Sequence, residues 1–194
     1  MLADDTALHQ FLFWNGFGLA VVDAMGFLKD AMPSPPNGLT VRLATPADSL
    51  SILSLDAQLT EHLRAPSVCM RRHRPRDETR QREFICREGN TVWLSEEGNQ
   101  VVGMLRMEGA CGGASEIVRS PETVGISGAY VLKTHRRRGI AERLLEEAAH
   151  WYRGRGFTRC SVDWESFNPS ATGFWMNRFT PVCLSVVRRV ESAL

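Results

Sequence analysis

The residues best suited to chemistry stand in one run, Val131-Leu132-Lys133-Thr134-His135-Arg136-Arg137-Arg138-Gly139-Ile140-Ala141. It reads as a strand end, a tight basic turn and the start of a helix. Ala129, Val131 and Leu132 form the apolar strand end, and Arg136 to Ile140 make the turn. Ile140, Leu144, Leu145, Ala148 and Ala149 then recur at helical spacing, with Glu142, Arg143, Glu146 and Glu147 on the other side. A helix that opens from such a turn presents free backbone N–H groups and its positive dipole end together, which suits phosphate. Gly139 lets a ligand approach the backbone, and Ala141 keeps the next side chain small. The same run also fits a basic turn capping an ordinary surface helix, so its surroundings must decide. A second chemical group is the pair Asp163 and Glu165, which share one side of a strand and can couple in titration.

The elements around these residues follow from local pattern. Ala7 to Trp14 is helical, Asn15-Gly16 is a stop, and Leu19 to Val22 forms a strand. Met32 to Gly38 has linker composition, and Leu39 to Ala44 alternates as a strand. Thr45-Pro46-Ala47-Asp48 is a helix start carrying Leu50, Leu53 and Leu55, with a second helical piece from Asp56 to Leu63 broken near Pro66. Arg71 to Arg82 is a charged loop leading into a helix near Asp77 to Phe84. Thr91 to Ser95 and Gln100 to Met107 flank Glu96-Glu97-Gly98-Asn99, a hairpin signal. Cys111 to Ser120 is a Gly-rich excursion, and Thr123 to Leu132 is the next strand. The long helix stops at Gly154 and Gly156. Phe157 to Trp164 is a strand, Asn168 opens a short helix to about Asn177, and Pro181 to Val190 is the final strand. The order is α/β, antiparallel at first, with a helical crossover between two strands that should be parallel.

Composition narrows the class. A chain of 194 residues with 43% hydrophobic and 23% charged residues is ordinary for a soluble globular domain with an appendage. The net charge of +1 gives no whole-molecule field for nucleic acid. The five cysteines are odd in number and widely spaced, which argues for reduced thiols and against a disulfide framework or zinc site. No run of about 18 apolar residues suggests a membrane span, and no basic n-region suggests a signal peptide. The expectation is a cytoplasmic protein.

The spacing Arg136-x-x-Gly139-x-Ala141 resembles the Arg/Gln-x-x-Gly-x-Gly/Ala signature of the GNAT acyltransferase superfamily. A second anchor is Val162-Asp163-Trp164-Glu165-Ser166-Phe167-Asn168-Pro169-Ser170-Ala171-Thr172-Gly173-Phe174-Trp175, similar to the family's second half. The resemblance covers residues 39–194. It implies an α/β fold whose mixed central sheet is splayed at the cofactor site and flanked by helices, here as a domain of residues 37–194. Residues 1–36 then form an N-terminal helix, strand and Pro-rich linker. They resemble the tail of a preceding GNAT domain in a tandem protein; an unrelated N-terminal helix is the alternative.

The resemblance implies an N-acetyltransferase that moves an acetyl group from acetyl-CoA to an amine by direct attack in a ternary complex, without a metal. Val131, Leu132, Arg136, Arg137, Arg138, Gly139, Ile140, Ala141, Asn168 and Trp175 are the implied cofactor-binding residues. An N–H at Val131 or Leu132 would face the oxyanion. Glu165 is the first candidate base, with Asp163 and Glu108 behind it. The sequence departs from the family at the Tyr that protonates the thiolate, which falls at Trp175; indole donates a hydrogen bond but delivers no proton. Tyr130 is the candidate substitute. This departure keeps a second reading open, a non-catalytic acyl-CoA-binding module. The implied partners are a small-molecule or peptide amine, without nucleic acid or membrane. The apolar N-terminal residues leave a homodimer as an option.

Overall fold

The apolar patterns of the sequence become seven strands of one sheet in the computed structural model, which describes residues 1–28, 38–70, 76–109 and 116–189. The strands are β1 (Gly18–Phe27), β2 (Leu39–Leu43), β3 (Asn90–Glu97), β4 (Gln100–Glu108), β5 (Thr123–Val131), β6 (Arg159–Glu165) and β7 (Thr180–Val187). Their order across the sheet is β2-β3-β4-β5-β6-β1-β7. Every neighbouring pair is antiparallel except β5 and β6, which are parallel as the helical crossover requires. The helices are α1 (Thr6–Trp14), α2 (Ser49–Arg64), α3 (Glu78–Cys86), α4 (Ile140–Arg153) and α5 (Pro169–Trp175).

Two local readings change. The helical pieces before and after Asp56 are one uninterrupted α2, which ends at an extended Ala65 just before Pro66. The short strand expected over Leu19 to Val22 is the ten-residue β1, which lies inside the sheet between β6 and β7. Its register runs from Val21 opposite Glu165 to Phe27 opposite Arg159 on β6. Val22 and Ala24 are buried in the main core. The N-terminal segment thus supplies an interior strand to the sheet that carries the phosphate turn. Most of the linker, Met32 to Asn37, lies outside the described residues, as do Arg71 to Pro75 of the charged loop and Cys111 to Ser115 of the Gly-rich excursion.

Helices cover both faces. On one, Ile140, Leu144, Ala148 and Tyr152 of α4 pack on Trp93, Leu105, Met107, Val124 and Ile126. On the other, Ile52 and Leu55 of α2 and Phe84 of α3 pack on Val92, Leu94, Met104 and Tyr130. Each such side chain contributes about 1.5–3 kcal/mol on burial. One ion pair interrupts the second layer. Arg106 of β4 donates to Asp56 of α2, and both side chains are only 4% exposed. The Arg76 N–H also donates to Asp56. A Cβ on Gly128 of β5 would approach the Arg106 guanidinium to 3.3 Å, a tight contact beside this ion pair.

Asp56→Ala strands a buried guanidinium and should cost about 3–5 kcal/mol, whereas replacing both partners by apolar residues should cost much less. Urea unfolding of the two variants checks this.

Candidate functional site

The site begins where β5 and β6 part. Their parallel ladder runs only from Thr123 opposite Arg159 to Ile126 opposite Val162. Yet β5 continues to Val131 and β6 to Glu165. Past the ladder each strand keeps its outer partner: Val131 lies opposite Gly103 on β4, and Glu165 opposite Val21 on β1. The Leu132 N–H donates to Val102 O on the β4 side at 2.9 Å. Strand alternation therefore turns the Val131 N–H the other way, toward β6 and into the gap. Val131 O accepts from Arg136 Nε at 3.2 Å.

Beyond β5 the chain makes a short 3-10 turn over Lys133–His135 and then two left-handed residues, Arg137 at φ 61° and Gly139 at φ 76°. Gly139 is the N-cap of α4. A Cβ built there would meet nothing within 4 Å, so the space over it is open. The first intrahelical bond is Arg143 N to Gly139 O at 2.9 Å. The N–H groups of Ile140, Ala141 and Glu142 therefore have no helical acceptor. Together the turn and the helix end have the geometry of a candidate anion site.

A cavity of about 660 Å³ joins this turn to the gap. Of the residues expected from sequence, Tyr130, Val131, Arg136, Arg137, Gly139, Ile140 and Ala141 line one side. Asn168 and Trp175 line the other. Leu132, Arg138 and Glu165 are not part of the lining. Leu132 packs against both cores instead. Arg138 turns toward the β3–β4 hairpin and donates to Glu97, with one bond of 3.1 Å. His135 also bonds Glu97, at 3.0 Å. The Arg138 hydrogen bond is the main cause holding the Glu97 carboxyl below its usual range.

Asn168 does cap α5, its Oδ1 accepting from Ala171 N at 3.3 Å and from Ser170 Oγ at 2.8 Å. Trp175 is buried, edge-on to Phe174 and Phe179. The Tyr130 ring lies 5.5 Å from the Arg136 guanidinium carbon.

Sequence reasoning missed the contribution of α2. Leu59 and His62, one helical turn apart, both line the cavity. His62 is half-exposed and lies close to the Asn168 side chain. Burial, then the charge of Arg136, hold its imidazole below the ordinary value, with Asn168 opposing. Nothing in the sequence near His62 marks it, because the residues it faces are far away along the chain.

A family model for the acetyltransferase (GNAT) family matches residues 57–179, more than half of the chain. The chain belongs to the GNAT acetyltransferase family. Solved structures agree on the fold. An aminoglycoside acetyltransferase from an uncultured soil metagenomic sample, in complex with trehalose, is 16% identical with a TM-score of 0.59; 81% of this chain and 97% of that one are covered. AAC(6')-Iy, in complex with the bisubstrate analogue CoA-S-monomethyl-acetylneamine, is 15% identical with a TM-score of 0.62, covering 79% and 99%. Ribosomal-protein-alanine N-acetyltransferase from Brucella melitensis biovar Abortus 2308 is 13% identical with a TM-score of 0.58, covering 81% and 98%. No curated protein sequence matches.

The other face of this GNAT sheet is acidic near the gap. Val162 and Trp164 point into the α4 core, so Asp163 and Glu165 point to the α2 side. Asp163 lies opposite Asp23 in register. Its side chain meets solvent, and the protein atoms packed around it still cost the carboxylate part of its hydration. That desolvation, then the charges of Asp23 and Glu165, push it up to about 6, with Glu108 adding a smaller push.

A carboxyl raised in the folded state binds more protons there than in the unfolded chain between about pH 4 and pH 6. Its contribution to stability is therefore present at the acid end of that window and lost as pH rises through 6. Asp163→Asn should raise the urea midpoint at pH 7 relative to the parent protein, and the difference should shrink by pH 4.5. Paired urea titrations at the two pH values check this.

Proposed function

We propose that the protein is an N-acetyltransferase that moves an acetyl group from acetyl-CoA to an amine by direct attack in a ternary complex. The observation that carries this reading is the left-handed turn at Arg137 and Gly139, opening into the α4 N-terminus at the mouth of the β5–β6 gap. The residues present fit the cosubstrate. The open space over Gly139 admits a pyrophosphate, the first N–H groups of α4 point at it, and Arg136 and Arg137 add charge. Acetyl-CoA would supply the activated acetyl group. The chain would supply the Val131 N–H toward the carbonyl oxygen, a gap edged by unpaired strand backbone, and Asn168 and Trp175 as the far wall.

The acceptor reaches the site as an ammonium, and an amine attacks only when neutral. The carboxylates on the α2 side support a cationic acceptor. Asp163 and Glu165 would draw it in and orient it, with Glu165 nearest the strand end. Aminoglycosides and protein alanine are named with the similar structures above, and both are amines. Tyr130 reaches the cavity and can hydrogen-bond there. Among the described residues no helix is long and apolar enough to cross a membrane. With its wide cysteine spacing, the cytoplasm is the compartment we propose. None of the residues of α1 is buried, and Phe11, Phe13 and Trp14 are well exposed, which keeps the homodimer reading.

One observation favours the second reading, a binding module without turnover: Trp175 stands where the family's proton donor is expected. Calorimetry with acetyl-CoA, followed by an acceptor screen for released thiol, separates the two. Gly139→Glu places a side chain and a negative charge over the turn, at a left-handed position that disfavours any Cβ. It should weaken acetyl-CoA binding by about tenfold or more, equivalent to at least about 1.4 kcal/mol. Unchanged binding in the variant, or no binding by the folded parent protein, would overturn the assignment.

A further inference from the structure

The cavity has one ionisable side chain that can be neutral near pH 7, reaches solvent and belongs to neither the phosphate turn nor the acidic face. His62 projects from α2 into the lining, beside Leu59, with its ring close to the Asn168 side chain. Tyr130, the alternative proton carrier, is 5% exposed and packed with Ile52, Leu55 and Met104. Glu165 does not line the cavity. An imidazole held between two walls of the gap is suited to both proton transfers that acyl transfer needs, one from the amine and one to the thiolate.

We propose that His62 is the catalytic proton carrier of this site, accepting a proton from the attacking amine and returning it to the departing sulfur. The inference rests on the acyl-transfer reading. The step balances: a nitrogen–carbon bond forms, the carbon–sulfur bond breaks, and the proton lost by nitrogen passes through the imidazole to sulfur. One side chain then does the work of a separate base and acid, which accounts for a chain that carries Trp175 in place of a tyrosine. The neighbouring Asn168 carboxamide is itself anchored by the Ala171 N–H and the Ser170 hydroxyl.

The imidazole faces Arg136 and Lys133 from the turn, and Tyr130 of β5 lines the same cavity. His135, Glu142 and Arg178 also line the cavity. Burial first, and then the charge of Arg136 with a smaller push from Lys133, favour the neutral ring, ready to accept a proton.

The test compares the parent protein with His62→Gln and Asp163→Asn. Acetyl-CoA affinity is measured by calorimetry. Turnover is followed by thiol release with sisomicin, spermidine and an alanine-initiated peptide as acceptors. His62→Gln should retain acetyl-CoA affinity and lose about a hundredfold or more in kcat. The acid limb of the kcat profile, with its inflection below 6.5, should vanish in His62→Gln and persist in Asp163→Asn. A His62→Gln protein within about threefold of the parent, or one that keeps the acid limb, overturns the proposal. Should none of the three acceptors react, proton NMR of the His62 ring decides. A ring signal, assigned by its loss in His62→Gln, that shifts on saturation with acetyl-CoA supports the placement, and one that does not move overturns it. Failure of acetyl-CoA to bind the parent protein marks failure of the acyl-transfer reading itself.

Discussion

The structure depends on a parallel ladder that stops early. β5 and β6 pair over four positions, Thr123 to Ile126 with Arg159 to Val162, and then diverge. Unpaired backbone in a sheet interior is costly unless water or a ligand meets it. A gap of this kind survives only if both strands are held from outside. Here β4 holds β5 as far as Val131, and β1 holds β6 as far as Glu165. The Arg136 side chain takes the Val131 carbonyl, which accounts for one of the freed groups.

This gives the N-terminal strand its importance. β1 is an interior strand with β6 on one side and β7 on the other. Without it, β6 would lose the antiparallel partner that keeps its end extended beyond Val162. The segment that looks like an appendage in sequence therefore fixes one lip of the candidate site. It also brings Asp23 opposite Asp163, so the acidity of that face is shared between distant parts of the chain.

Charge is divided by the sheet. The phosphate turn, Arg136, Arg137 and the α4 N-terminus lie at the end of β5. The carboxylates of Asp23, Asp163 and Glu165 lie on the α2 side of β6 and β1. α2 bridges the two regions, anchored underneath by the Asp56–Arg106 pair and carrying His62 at its far end. In the proposed reaction an anionic donor and a cationic acceptor would approach from different directions and meet at the gap. The Glu97 contacts with His135 and Arg138 tie the β3–β4 hairpin to the turn, which explains why one of its three consecutive arginines does not face the cavity.

The sequence by itself determined the strand–turn–helix geometry of the basic turn, because it is built from consecutive backbone groups and needs only a strand end, a glycine and a helix start in order. It likewise determined the hairpin, the parallel crossover, the Asn168 cap and the sharing of one face by Asp163 and Glu165, all of which rest on local geometry. Only the tertiary structure decided the place of β1, since Ala20-Val21-Val22-Asp23-Ala24 has no alternation to reveal a strand buried between two others. It alone chose Val131 over Leu132 as the N–H facing the gap, through the bond of Leu132 to Val102. It turned Arg138 and Glu165 out of the cavity lining and brought His62 in. These are contacts between residues distant in the chain. Their geometry depends on which strand edge or helix face meets which neighbour, and no local spacing carries that.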